Sequence, residues 1–145
     1  LEVIPTPGHS RDHVAFFEPK RRVIFTGDLY TGPKVRAARK VENVADQITS
    51  LERVRDLKPR RMICYHKGPV EDPIPALEAK IAFMRELREA ALRLRDKGLD
   101  EGAITRRLLG RETPLLLVYT MGDFSKRRLV RAALHPPGHY PHPIA

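Results

Sequence analysis

Two histidines and one aspartate carry the chemistry that this sequence suggests. His9 follows a Pro-Gly turn, Asp28 follows a glycine, and His66 follows an apolar run. Each of them therefore comes where a short β-rich segment meets a turn-forming residue. Imidazole and carboxylate groups are zinc ligands, which makes these side chains candidate metal ligands. Taken one at a time, each is more simply explained as an ordinary loop or turn residue.

Short strands are predicted to hold the three side chains at the rim of a sheet. The residue pattern predicts strands at 1–5, 13–18 and 23–26, of which the last two are joined by a tight turn. A further strand at 61–65 leads into His66. Because a helix lies between the third and fourth strands in the sequence, we expect that helix on the outside of the sheet.

Helices are predicted where apolar residues recur every three or four positions. The predicted helices are 43–57, 75–97, 99–110 and 126–134. Asn43 is the candidate N-cap of the first helix, and Ser125 is that of the last. The apolar stretch 115–121 is not assigned to an element.

The composition predicts a chain that attracts acidic partners. Its 145 residues are enough for a domain with a real core, and the net charge is +9, from 27 lysines and arginines against 18 acidic residues. This balance favours anionic partners, nucleic acids included. The cations of the loop 30–42 are either simply solvated or form a basic rim that attracts an anionic substrate. No apolar run is long enough for a membrane span, and the lone Cys64 is typical of a buried thiol in a cytoplasmic protein.

Three motifs, taken in order, resemble part of a known enzyme family. T-P-G-H-S-x-x-H begins at Thr6, T-G-D begins at Thr26, and an apolar run leads into H-x-G-P at His66. The series resembles the second half of the metallo-β-lactamase superfamily, and in particular its glyoxalase-II-like hydrolases. The resemblance implies an α+β fold. We expect the second half of an αββα sandwich over residues 1–98, followed by a helical extension and a Pro- and His-rich tail over residues 99–145.

The resemblance also implies a metal-dependent hydrolase. Members of this superfamily hold one or two metal ions, often zinc. By motif position, His9 would serve the first metal ion, Asp28 would bridge the two, and His66 would serve the second. His13 matches a position that commonly packs behind the site without binding metal. Small esters or thioesters are the expected substrates, and no catalytic residue beyond the metal ligands is assigned.

One motif of the family does not occur in this sequence. The histidine-rich run H-x-H-x-D-H is absent, although the chain has six histidines. Each metal ion would then have two protein ligands, fewer than the three or four that zinc sites use. We therefore expect the sequence to be the C-terminal portion of such a hydrolase, inactive and weakly metal-binding alone. The missing N-terminal half, or a partner chain, is expected to cover a sheet face that would otherwise lie bare.

Two other functions stay open. Residues 99–110 and 125–134 have the pattern of a helix-turn-helix remnant that could bind nucleic acid. Arg127, Arg128 and Arg131 would then lie on one exposed side of the last helix, although the apolar stretch between the two helices is too long for the turn. Alternatively, the chain is a non-catalytic partner subunit that uses its exposed sheet face.

Overall fold

A single sheet carries the candidate ligands. The computed structural model describes residues 1–112 and 114–140, apart from the side chain of Leu116. The sheet has five strands in the order β1-β2-β3-β4-β5. They are β1 (Glu2–Pro5), β2 (Val14–Glu18), β3 (Val23–Gly27), β4 (Arg61–Cys64) and β5 (Gly68–Val70). The first four confirm the predicted strands to within one residue at each end. β5 is not predicted, because its Gly-Pro pair favours a turn, but an edge strand tolerates proline.

Strand direction brings three carboxyl ends to the same edge of the sheet. β1 and β3 both pair antiparallel with β2, so they run in the same direction. β4 pairs in parallel with β3 and therefore shares that direction. The segments that leave these three strand ends contain His9, Asp28 and His66. The topology thus gathers residues that are far apart in the sequence.

The helices largely agree with the sequence pattern. They are α1 (Val44–Asp56), α2 (Pro73–Asp96), α3 (Glu101–Leu109), α4 (Pro114–Tyr119) and α5 (Lys126–Leu134). The side chains of Asn43 and Ser125 cap α1 and α5, as predicted. α2 begins two residues earlier than predicted, because prolines fit a first turn, where the N–H groups have no helical partner. α4 occupies the unassigned apolar stretch and separates α3 from α5, so these two helices do not form a helix-turn-helix unit.

One face of the sheet is buried beneath the helices. Alternate residues of β2, β3 and β4 belong to one hydrophobic cluster with residues of α1, α2, α3 and α5. The sheet members of this cluster are Ala15, Phe17, Ile24, Met62 and Cys64. The buried position of Cys64 is confirmed. The helices α3 and α5, which belong to the predicted extension 99–145, share this core with the sheet. The predicted domain boundary after residue 98 stays a prediction.

The opposite face of the sheet is apolar and exposed. Val3, Phe16 and Phe25 are 59%, 41% and 40% exposed. Phe16 and Phe25 stand directly opposite each other on β2 and β3. This is the sheet face for which the sequence predicts a cover, and the identity of that cover stays a prediction.

None of the helices in the described ranges is long and apolar enough to span a bilayer. The cytoplasmic location stays a prediction. The last part of the predicted tail, residues 141–145, lies outside the described residues.

Candidate functional site

Asp28 and His66 come together because β3 and β4 run side by side. Gly27 pairs with Cys64 across the parallel ladder, and the N–H of Tyr65 donates to the carbonyl of Gly27 at 3.3 Å. Gly27 has a φ of 52°, a left-handed conformation that glycine adopts without steric cost. The chain turns at this point, immediately before Asp28.

His9 is placed by a loop that rests on the start of α1. Gly8 has a φ of 132°, and a Cβ atom there would lie 2.4 Å from the backbone nitrogen of Gln47. No residue other than glycine fits this approach. The carbonyl of Gly8 accepts hydrogen bonds from the N–H of Asn43 at 2.7 Å and from Nε2 of Gln47 at 3.2 Å. The loop that carries His9 is therefore fixed to the helix.

The three candidate ligands converge with Asp28 in the middle. Oδ1 of Asp28 lies 3.1 Å from Nε2 of His66, and Oδ2 lies 3.6 Å from Nε2 of His9. Each carboxylate oxygen thus faces a different imidazole. Oδ1 is buried and has no hydrogen-bond partner within the described part of the chain, because its contact with His66 has the distance of an ion pair without hydrogen-bond geometry. A buried carboxylate oxygen in this state is costly unless a cation compensates it.

The types and spacing of these donors fit zinc, but their number is too small. With metal–ligand bonds near 2.1 Å, two ligands of a tetrahedral zinc ion lie about 3.4 Å apart. The two distances from Asp28 to the imidazoles, 3.1 and 3.6 Å, lie on either side of that value. In residues 1–112 and 114–140, however, no three His, Cys, Asp or Glu side chains form a group that could hold a metal ion. The described residues therefore present two pairs of candidate ligands that share the carboxylate of Asp28.

Glu42 belongs to the site although the sequence does not point to it. Its Oε1 lies 3.5 Å from Nδ1 of His9 and accepts a hydrogen bond from the backbone N–H of Arg39 at 3.0 Å. Its Oε2 accepts a hydrogen bond from Nε2 of Gln47 at 2.7 Å. Hydrogen bonding to Glu42 raises the pKa of the His9 imidazole, and burial opposes this rise. The one signal in the sequence is that Glu42 precedes the N-cap Asn43, which places it at the loop–helix junction.

His13 lies behind the candidate ligands. Its Nδ1 is hydrogen-bonded to Oγ1 of Thr6 at 2.8 Å, and its ring meets that of His9 edge-on, with 6.0 Å between ring centroids. A Cβ atom at Gly27 would lie 3.0 Å from Nε2 of His13, so glycine also makes room for this ring. Burial lowers the pKa of His13, which favours the neutral imidazole. Its role as a packed residue that does not bind metal stays a prediction.

A cavity of about 280 Å³ opens at the three candidate ligands. Its walls include Lys80 of α2 and Phe124, which precedes α5. The loop between β3 and α1 forms a further wall, and it is joined to the start of α5 by two backbone hydrogen bonds of 3.2 Å between Ala38 and Ser125. The helical extension therefore helps to close the cavity. Its volume lies just below the usual range of about 300–1,000 Å³ for small-molecule sites.

The arginines of α5 are paired within the chain. Arg127 and Arg131 contact Glu101 of α3 at 3.4 and 2.8 Å, and Arg128 contacts Asp123 at 3.2 Å. The side chains of Arg127 and Arg131 are 59% and 45% exposed, as expected, but that of Arg128 is only 28% exposed, so the expectation that all three lie on one exposed side is wrong for Arg128. These ion pairs offset part of the positive charge of α5, and the nucleic-acid interpretation gains no support from this helix.

Comparison with known proteins addresses the family directly. The family model described as the metallo-beta-lactamase superfamily matches residues 1–66, the segment that contains all three candidate ligands. This match, together with two curated relatives, supports membership of the metallo-β-lactamase superfamily for the matched segment.

Two curated relatives are beta-lactamase-like protein 2 homologues. The relative from Caenorhabditis elegans is 35% identical over 74 residues, which cover 51% of this chain and 24% of the relative. The relative from Drosophila melanogaster is 29% identical over 92 residues, which cover 63% of this chain and 30% of the relative. The matched part of this chain therefore spans less than a third of each relative.

Solved structures share the metallo-β-lactamase fold of this chain. A metallo-beta-lactamase family protein from Thermus thermophilus has a TM-score of 0.64 and 25% identity, and the match covers 92% of this chain and 42% of that protein. A double mutant of the sec-alkyl sulfatase PisA1 has a TM-score of 0.65 and 17% identity, with 90% of this chain and 22% of that protein covered. The α+β fold class predicted from the sequence is confirmed.

Proposed function

We propose that the chain contributes half of the active site of a zinc-dependent hydrolase, with His9, Asp28 and His66 as metal ligands. The arrangement of Asp28 supports this most directly, because its two oxygens face two different imidazoles at 3.1 and 3.6 Å. A carboxylate placed in this way can bridge two cations. Bound zinc would lower the pKa of a water ligand toward about 7 and polarise a carbonyl or phosphoryl oxygen.

Neighbouring residues and strand ends hold the three proposed ligands in position. Glu42 contacts Nδ1 of His9, which leaves Nε2 directed at Asp28. The paired ends of β3 and β4 hold Asp28 beside His66. The cavity at these side chains has a volume of about 280 Å³, which favours a small molecule as the substrate, and the family resemblance implies an ester or thioester.

The site needs further metal ligands, and we propose that a segment packed on the exposed sheet face brings them. Zinc sites use three or four ligands, whereas the described part of this chain offers two donors for each ion. The apolar face around Val3, Phe16 and Phe25 is the surface that such a segment would cover. The segment belongs either to a longer chain or to a second chain. The 145 residues alone are then expected to bind zinc weakly and to lack hydrolase activity.

A zinc titration tests this proposal. Isothermal titration of the metal-free chain should show binding weaker than micromolar, and Asp28→Asn should remove it, because both ligand pairs use this carboxylate. Asp72→Asn is the matched control, since Asp72 is exposed and makes no capping hydrogen bond at the start of α2. Zinc binding that survives Asp28→Asn unchanged would refute the assigned ligands. One-to-one binding tighter than micromolar to the unaltered chain would instead refute the incomplete site.

A further inference from the structure

Lys80 lies on the buried face of α2. It follows Leu77 by three positions and precedes Met84 by four, which places it on the apolar stripe of the helix. The residue is 1% exposed. Lysine is almost never buried to this extent without a partner, because removing an ammonium group from water is costly. A close anion would offset this cost.

Within the described ranges, this ammonium group has only weak partners. Nζ of Lys80 lies 3.5 Å from Oγ1 of Thr31 and 5.9 Å from the centroid of the Tyr30 ring. Among the described residues, Lys80 forms no ion pair. The carboxylate of Glu42 acts on it from a longer distance, and that carboxylate is already engaged by the hydrogen bonds that hold it beside His9. The positive charge is therefore only partly compensated.

The partly compensated charge borders the cavity of the candidate site. Lys80 and Thr31 line this cavity together with His9, Asp28 and His66. An oxyanion that enters it would find the ammonium donors of Lys80 and the hydroxyl group of Thr31 side by side. A hydrogen bond to a charged group of this kind is shorter and stronger than one between neutral groups.

We propose that Lys80 binds an oxyanion of the substrate, a carboxylate or a phosphate group, inside this cavity. The inference rests on the proposed function, because it assigns a substrate class to the same site. The anionic group would be held by Lys80 while the bond to be cleaved lies toward His9, Asp28 and His66. Burial lowers the pKa of Lys80 to about 8. The amine is then mostly protonated at neutral pH, which suits an anion-binding role better than a nucleophilic one.

Titration of the metal-free chain with inorganic phosphate, and in parallel with acetate, tests this assignment. With a chelator present, the backbone amide resonances of Thr31 and Lys80 should show saturable shifts with at least one of the two anions. The anion that binds more tightly identifies the preferred group. Lys80→Met should weaken this binding by about tenfold or more. Lys97→Met is the control, because Lys97 is an exposed lysine at the end of the same helix, and it should leave the binding unchanged.

The proposal is overturned if Lys80→Met binds phosphate and acetate as the unaltered chain does, or if neither anion produces saturable shifts at the cavity. Lys80→Gln, which keeps a polar side chain, replaces the methionine variant if that variant does not fold. Since no metal is present, the result is independent of zinc binding. If the unaltered chain binds zinc through Asp28 but binds neither anion, the role of Lys80 is refuted and the proposed function stands. If it binds an anion through Lys80 but its zinc binding survives Asp28→Asn, the assigned zinc ligands are refuted and the role of Lys80 stands.

Discussion

Nδ1 of His9 lies 3.5 Å from Oε1 of Glu42. The contact leaves the other ring nitrogen, Nε2, to face Asp28 at 3.6 Å. A carboxylate on one nitrogen of a metal-binding histidine sets the tautomer and the ring orientation, and it makes the other nitrogen a better donor. Glu42 is itself fixed by hydrogen bonds from Arg39 and Gln47. Glu42 is therefore a positioning residue for His9.

Glu42→Gln should weaken zinc binding by about tenfold, because the ring of His9 loses the charge that orients it. The amide oxygen can still accept the hydrogen bond from the N–H of Arg39, so the fold should persist. Isothermal titration measures the affinity, and circular dichroism checks the fold. Glu89→Gln, which changes an exposed carboxylate of α2, is the control. Equal affinity in the two variants would show that Glu42 does not orient His9.

Gly8→Ala should destabilise the chain by more than a positive φ alone explains. The new Cβ atom would lie 2.4 Å from the backbone nitrogen of Gln47, so the loop that carries His9 must move away from α1. Gly98→Ala is the matched control, since Gly98 has a φ of 85° with no atom within 4 Å of the added Cβ. We expect a loss of about 1 kcal/mol for Gly98→Ala and roughly 3 kcal/mol for Gly8→Ala. Urea unfolding measures both, and equal losses would mean that the loop does not depend on this close approach.

Self-association should depend on the exposed pair Phe16 and Phe25. The two rings stand opposite each other on β2 and β3, about two-fifths exposed, and a bare apolar sheet face tends to find a partner. The double variant Phe16→Lys, Phe25→Glu should reduce concentration-dependent association in sedimentation velocity. Tyr119→Lys alters an apolar residue of α4 that is 88% exposed and serves as the control. Association that responds only to Tyr119→Lys would place the contact surface on α4 instead.

Lys80 should make stability increase with pH in the alkaline range. Burial lowers its pKa from 10.5 to about 8, so between these values the unfolded chain holds a proton that the folded chain has released. The free energy of unfolding then rises with pH, by roughly 3 kcal/mol over the whole interval. Below the folded-state pKa of about 8, the amine is protonated in both states, and the full destabilisation from burying its charge remains.

The variant Lys80→Met isolates this effect, because the other groups that face Lys80, namely Tyr30, Glu42 and Cys64, are common to both proteins. Urea unfolding should find the variant more stable than the unaltered chain near pH 7 and nearly equal to it near pH 10.5. A stability difference that does not change with pH would contradict the lowered pKa.

The first four strands, and the candidate ligands that follow three of them, could be predicted because the sequence signals for strands and turns are local. Short β-rich runs that stop at Pro-Gly, at Gly27 or before His66 specify where each strand ends, and the parallel direction of β4 then brings the ends together. The same local signals predict a turn at Gly68 and Pro69. The edge position of β5 overrides that signal, because pairing with β4 requires nothing from the proline nitrogen.

Glu42 and Lys80 could not be assigned from the sequence because their roles depend on distances across the fold. The pattern places Lys80 on the apolar stripe between Leu77 and Met84. A lysine in such a position commonly extends its ammonium group to the surface, and only the packing of α2 against the sheet and the loop shows that this one does not. Glu42 precedes a helix cap and lies 33 positions from His9 in the sequence.

Asn43 should prove to be one of the more sensitive positions outside the candidate metal site. Its side-chain oxygen caps α1 by accepting from the N–H of Asp46 at 3.1 Å, and its Nδ2 donates to the carbonyls of Pro136 and His139, both at 2.9 Å. Asn43→Ala should lower the free energy of unfolding by about 3 kcal/mol, because it removes the cap and leaves partly buried carbonyls without donors. Asn43→Asp keeps the cap and loses only the donors, so urea unfolding should show a smaller loss. Equal losses in the two variants would assign the whole effect to the tail contacts, and no loss in either would contradict both contributions.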